Sequence, residues 1–307
     1  MTPSIINQTK VRHRVRTLGI LTSMAVILGL VGFSVSGTTG LTAAVLLVVF
    51  GAFFTPKLPS RMIMRLYRAR PVSPNHAPNL YHILAQLARN AGMNNIPKLY
   101  YIPNRSINAF AAGSAGDPAI AVTKGLLSVL STSEIAGILG HELSHIRNND
   151  TGVMSFAGIL LRLTHVMSLL GLMLIVFLIP MVLIGNMPIS FSFLFIIILA
   201  PTISALLQLA LSRTMEFDAD LGSATLLGSP YPLAQALQTL ESIKKRSWHR
   251  FILPPSVTGP PELFSTHPDT SERIHRLISL DTRSCQKGKK VPYMASRPIL
   301  IPMDSAH

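Results

Sequence analysis

The chain is 307 residues long, 49% hydrophobic and only 13% charged, and its 27 Lys and Arg against 13 Asp and Glu give a formal net charge of +14. That balance excludes an ordinary soluble domain, in which about a quarter of residues are charged, and excludes a disordered chain, which is far less apolar. The single cysteine, Cys285, excludes an internal disulfide and fits a reducing compartment.

The first 16 residues carry four basic and no acidic side chains, and residues 17–56 then contain no Asp, Glu, Lys or Arg at all. A bilayer crossing takes about 20 apolar residues, so this run holds two, read as 17–36 and 41–56 with SGTTG at 36–40 between them. A cleaved signal peptide is the alternative, but a second apolar run starts almost at once and no convincing A-x-A pattern separates the two. A membrane hairpin is therefore expected. Five basic and no acidic residues follow in 57–70, whereas the proposed outer turns carry no Lys or Arg. Positive residues collect on the cytoplasmic side, which places the N-terminus, the middle of the chain and the C-terminal third in the cytoplasm. The basic excess then reflects topology and anionic membrane lipid, and nucleic acid is not expected as a partner.

After a turn at Pro71–Pro74, the spacing predicts an amphipathic helix from Asn79, ended by Gly92. Three short β-like runs follow, KLYYIPN at 98–104, INAFAAG at 107–113 and AIAVTKG at 119–125, and predict a small antiparallel sheet. INAFAAG reads equally well as a core strand or as an edge strand that holds an extended peptide by main-chain pairing. Ser131 and Glu134 have the spacing of a capping box and open a helix that contains HELSH at 141–145. Positions i and i+4 share a helix face, so His141 and His145 can aim at one metal ion, with Glu142 beside the first. This is the HExxH zinc-hydrolase pattern, in which the glutamate takes a proton from an activated water. With 10 His and six Glu in the chain, it would arise by chance roughly 0.006 times, so accident is a poor explanation.

Residues 163–212 form a second run without Asp, Glu, Lys or Arg, and only His165 in it carries a possible charge. We read spans at 163–184 and 189–211 around a turn at 185–188, making about four crossings in two hairpins. The segment SRTMEFDADLGSATLLG at 212–228 then continues as a helix with three acids. Dense acids usually mark a solvated face. Here Glu216 and Asp220 lie on one face at i and i+4, so one can supply the ligand that two histidines leave missing and the other can orient a ligand histidine. An unbroken helix would put Glu216 about 6 Å beyond the apolar run, which places the metal near the membrane surface.

NAFAAG, HELSH, the SRTMEFDAD helix and a late STHPDTSERI at 265–274, in this order around two apolar hairpins, resemble the M48 family of zinc metallopeptidases, and within it the integral-membrane branch, over most of the chain. The resemblance implies a mainly α membrane protein with a zincin-type α+β protease domain, its small antiparallel sheet next to the HExxH helix. It assigns Glu216 as third ligand of one Zn²⁺ per chain and Asp220 as support for a ligand histidine. It puts His267 near the cleft, where an imidazole can donate to an oxyanion. The competing reading is that Thr266 to Asp269 merely start the last helix, with Arg273 in solvent. Asn108 and Ala109 become main-chain contacts for substrate by the same analogy. The implied setting is the bacterial inner membrane, with damaged or misfolded membrane proteins as substrates.

The expected organisation is a basic cytoplasmic N-terminus at 1–16, a first hairpin at 17–56, a first protease segment at 57–162, a second hairpin at 163–211 and a second protease segment at 212–307. The function expected is Glu-assisted hydrolysis of peptide bonds. A non-catalytic membrane scaffold with a structural metal is the alternative, but such sites favour four protein ligands and cysteine.

Overall fold

The computed structural model describes residues 3–54, 59–114, 116–185, 191–248 and 270–285. Its elements run α1 (Pro3–Phe54), α2 (Ser60–Leu66), β1 (Arg70–Pro71), α3 (Pro78–Asn90), β2 (Lys98–Ile102), β3 (Ala109–Ala112), β4 (Ala119–Thr123), α4 (Lys124–Val129), α5 (Thr132–Asn148), α6 (Asp150–Leu183), α7 (Phe191–Leu227), α8 (Tyr231–Trp248) and α9 (Thr270–Cys285). They fall into two compact units, residues 1–56 with 152–214 and residues 57–151 with 215–307.

The first unit is helical. Within α1, Ser36 (φ −144°, ψ 27°) and Gly37 (φ 57°, ψ −138°) leave helical geometry. Beyond this break Gly40 and Ala44 lie against Gly32, and Leu41 against Gly29. Residues eight apart in a straight helix stand about 12 Å from one another, so α1 turns back on itself here. Three helical stretches are long and apolar enough to cross a membrane, Arg14–Phe54, Asp150–Phe177 and Phe191–Leu227. Met24, Leu28, Val31, Ala157, Leu160 and Ile197 are buried, while Phe53, Phe177 and Phe195 are 82%, 81% and 68% exposed. A surface as apolar as the interior suits lipid as solvent. After α6 the chain turns through Gly185 at φ 82°, and the rest of the expected second turn, 186–188, lies outside the described residues.

The second unit is built on a four-stranded sheet of order β1-β2-β4-β3. It is mixed, which corrects the expected antiparallel sheet: β1 with β2 and β3 with β4 are antiparallel, but β2 and β4 run parallel, Leu99 opposite Ile120. The reason lies in burial. AIAVT is buried at every position, as a central strand covered on both faces must be. It therefore slots between β2 and β3. Leu99, Ile120 and Val122 face a core shared with α3, α5, α8 and Leu277 of α9, while Tyr100, Ala119 and Ala121 face Met64 of α2. This arrangement leaves β3 as an edge, beside α5.

Local signals set the helices around that sheet. Helix α3 begins with proline at its first position and is followed by Gly92 at φ 68°, matching the pattern from Asn79 to Gly92. The capping box at the start of α5 is complete. Ser131 Oγ accepts from Glu134 N at 3.4 Å and Glu134 Oε2 accepts from Ser131 N at 2.7 Å, an arrangement that contributes about 0.5–2 kcal/mol.

Candidate metal centre

Small residues let α5 meet the C-terminal part of α7. A Cβ on Gly222 would sit 2.3 Å from Ser144 Oγ, and one on Gly140 would sit 2.9 Å from Ser223 Oγ. Ser223 Oγ also donates to Gly137 O at 2.8 Å, tying the helices across 86 positions of sequence. With backbones this close, the neighbouring side chains converge: His141 and His145 from α5, Glu216 and Asp220 from α7.

The His141 and His145 Nε2 atoms stand 3.2 Å apart. Glu216 Oε2 is 3.4 Å from His141 Nε2, and Glu216 Oε1 is 3.7 Å from His145 Nε2. Ligands about 2.0–2.1 Å from a tetrahedral zinc stand about 3.3 Å from one another, so the triangle fits such an ion. Electrostatics agree. Burial opposes charge on His141, but the Asp220 and Glu216 carboxylates outweigh it and raise its pKa to about 10. The centre favours positive charge.

Each histidine is held from behind by a carboxylate. Asp220 Oδ1 lies 3.0 Å from His141 Nδ1, and Asp150 Oδ2 lies 2.7 Å from His145 Nδ1. Carboxylates accept, so both Nδ1 atoms donate and both Nε2 atoms remain turned toward the triangle. Arg273 of α9, 4% exposed, donates to Asp220 through Nε at 2.8 Å and Nη2 at 2.6 Å, and its Nη1 lies 3.4 Å from Glu216 Oε2. Burial works against its charge, but Asp220 and Glu216 more than compensate and raise its pKa above the ordinary value. Solvent exposure of Arg273, the competing sequence reading, is thereby excluded.

Glu142 is buried at the first histidine, and its Oε2 accepts from Ala111 N at 2.8 Å. Since Ala111 N points out of the sheet toward α5, the alternation of an antiparallel strand turns the main-chain groups of Ala109 the same way. Asn108 behaves differently. Its N–H donates to Thr123 Oγ1 at 2.9 Å and its carbonyl accepts from Thr123 N at 3.0 Å, so the expected main-chain contact with substrate does not extend to it. His267 lies outside the described residues. Asp150 was missed by sequence reasoning, and the only available signal was an acid five positions after the second histidine.

The sequence pattern of Peptidase family M48 matches residues 74–281. The chain belongs to peptidase family M48. It is therefore a metallopeptidase, and its apolar helices make it a membrane-type member of M48. Relatives described as "Protease HtpX homolog" include one from Desulfatibacillum aliphaticivorans, 35% identical over 89% of this chain and 91% of its own. Another, from Acaryochloris marina, is 39% identical over 72% and 78%, and one from Salinibacter ruber is 34% identical over 88% and 98%. The crystal structure of S. mikatae Ste24p aligns with 88% of this M48 chain and 66% of its own at 17% identity and a TM-score of 0.45.

Proposed function

We propose that the chain is a zinc-dependent endopeptidase of the bacterial inner membrane, crossing it four times in two hairpins, with its catalytic unit and both termini in the cytoplasm. The observation that carries the proposal is the His141, His145 and Glu216 triangle, whose ligand atoms all lie within 4.8 Å of one another, beside a buried glutamate facing an edge strand. These three residues would hold the ion. Three ligands leave a fourth position open, which favours catalysis over the scaffold reading.

Bound there, a zinc ion would activate water and polarise a peptide carbonyl. Asp220 and Asp150 hold the two imidazoles in the ligating orientation, and Arg273 fixes Asp220. Glu142 accepts the proton of the attacking water and delivers it to the leaving amine. An extended peptide pairs along β3 through the outward main-chain groups of Ala109 and the carbonyl of Ala111, whose N–H is held by Glu142. His267 remains our candidate donor to the oxyanion. Damaged or misfolded membrane proteins, with tails or loops at the cytoplasmic surface, are the substrates this setting favours.

The test is Glu142→Gln. Zinc content of the purified protein should stay near one ion per chain, while cleavage of a casein-like substrate falls about 10²–10⁴-fold. Retained cleavage would refute the mechanism, and loss of zinc in this variant would make Glu142 a ligand instead.

A further inference from the structure

At the opposite edge of the sheet from the metal centre, a cavity of about 420 Å³ is lined by Arg61, Met64, Arg65, Tyr81, Lys98 and Tyr100, among others. Three of these residues are cationic. Lys98 is already paired, its Nζ 2.7 Å from Asp117 Oδ1. Arg61 and Arg65 have no acidic partner among the described residues. Like charges at i and i+4 on one helix repel, so α2 carries an unbalanced pair that an anion in the cavity would neutralise.

The adjacent face of α2, about 100° round the helix, narrows the choice of anion. Met62 and Leu66, also four apart, are 61% and 79% exposed, and a soluble surface gains nothing by presenting them. The chain enters α2 after only residues 55–59, directly from the apolar helix that ends at Phe54. A short helix with two arginines on one face, two large apolar residues on the adjacent face and an apolar span just before it has the chemistry of the lipid interface. The arginines' planar forks suit phosphate oxygens, and Tyr81 and Tyr100 wall the cavity.

We propose that this cavity seats the phosphate of an anionic phospholipid, held by Arg61 and Arg65, with Met62 and Leu66 against its acyl chains. The site is separate from the catalytic one. Its anionic partner is thus specified by two features of the same helix, a cation pair with no acidic partner among the described residues and an exposed apolar pair.

The full chain in neutral detergent can be titrated with dihexanoyl phosphatidylglycerol, dihexanoyl phosphatidylcholine and inorganic phosphate, reading the unfolding temperature at each concentration. Saturable stabilisation is expected with phosphatidylglycerol only. Arg61→Gln/Arg65→Gln should weaken it at least about tenfold, whereas Arg89→Gln/Lys124→Gln, which removes the same charge outside the cavity, should not. Equal response to inorganic phosphate would mean that a free anion occupies the cavity and would overturn the lipid assignment. Equal loss in both double variants, or no loss in either, would overturn the site itself. Zinc content, measured alongside, checks that each variant is folded.

Discussion

Asp150 does for His145 what Asp220 does for His141, although the two acids reach the centre by different routes. Asp220 sits one turn from Glu216 on the same helix, and that spacing made both residues legible from sequence. Asp150 follows Asn149, whose φ of 59° ends α5 in the left-handed region and redirects the chain. No periodicity reports such a turn, so the 2.7 Å contact with His145 Nδ1 was not foreseeable from spacing. Arg273 stood in a motif the sequence marks, but its partner was equally hidden, since its bonds to Asp220 span 53 positions. If Asp150 orients a ligand, Asp150→Asn should keep the shape but weaken the pull on the imidazole proton. Zinc affinity, measured by competition with a chelator of known strength, should fall about 10–100-fold with the fold intact by circular dichroism. Unchanged affinity would reduce Asp150 to a helix-start residue.

At the scale of elements, β2, β3, β4, α3 and α5 all follow from strand-like runs, proline, glycine and a capping box. Strand order does not. Three short runs in sequence suggest a meander, and only the complete burial of β4 reveals that it lies between its neighbours. The polar link between α2 and the sheet was invisible for a similar reason, because it rests on one loop acid. Asp117 Oδ2 accepts from Ser60 N at 3.1 Å and Ser60 Oγ at 2.7 Å, while Oδ1 faces Lys98. The Lys98 bond, followed by the Ser60 hydroxyl, lowers the Asp117 pKa from 3.8 to about 2. A depressed folded value means that this acid stabilises the fold above its unfolded pKa and loses that contribution as pH falls from about 3.8 toward 2. Asp117→Asn should therefore unfold at a lower temperature than the parent chain at pH 6, with the gap closing below about pH 3.8. A gap that is constant with pH would show that the charge contributes nothing and only the hydrogen bonds matter.

Across the whole molecule the two units alternate along the chain, so the apolar helices interrupt the sequence of the catalytic unit. The apolar runs were legible because lipid demands length and composition, and both can be counted. The break in α1 at Ser36 and Gly37 falls at the start of the predicted SGTTG turn. The proposed direction across the bilayer rests on the basic residues that flank the first run, since no such residue occurs in the turn. With Cys285 replaced by serine the chain has no other thiol, so single cysteines can report sidedness without interference. In intact cells stripped of their outer membrane, Thr38→Cys at the turn should react with a membrane-impermeant maleimide. Ser73→Cys, beyond the first hairpin, should react only after the inner membrane is opened. Labelling of Ser73→Cys in sealed cells would put the catalytic unit on the outside, and protection of both sites would mean that the first hairpin does not cross.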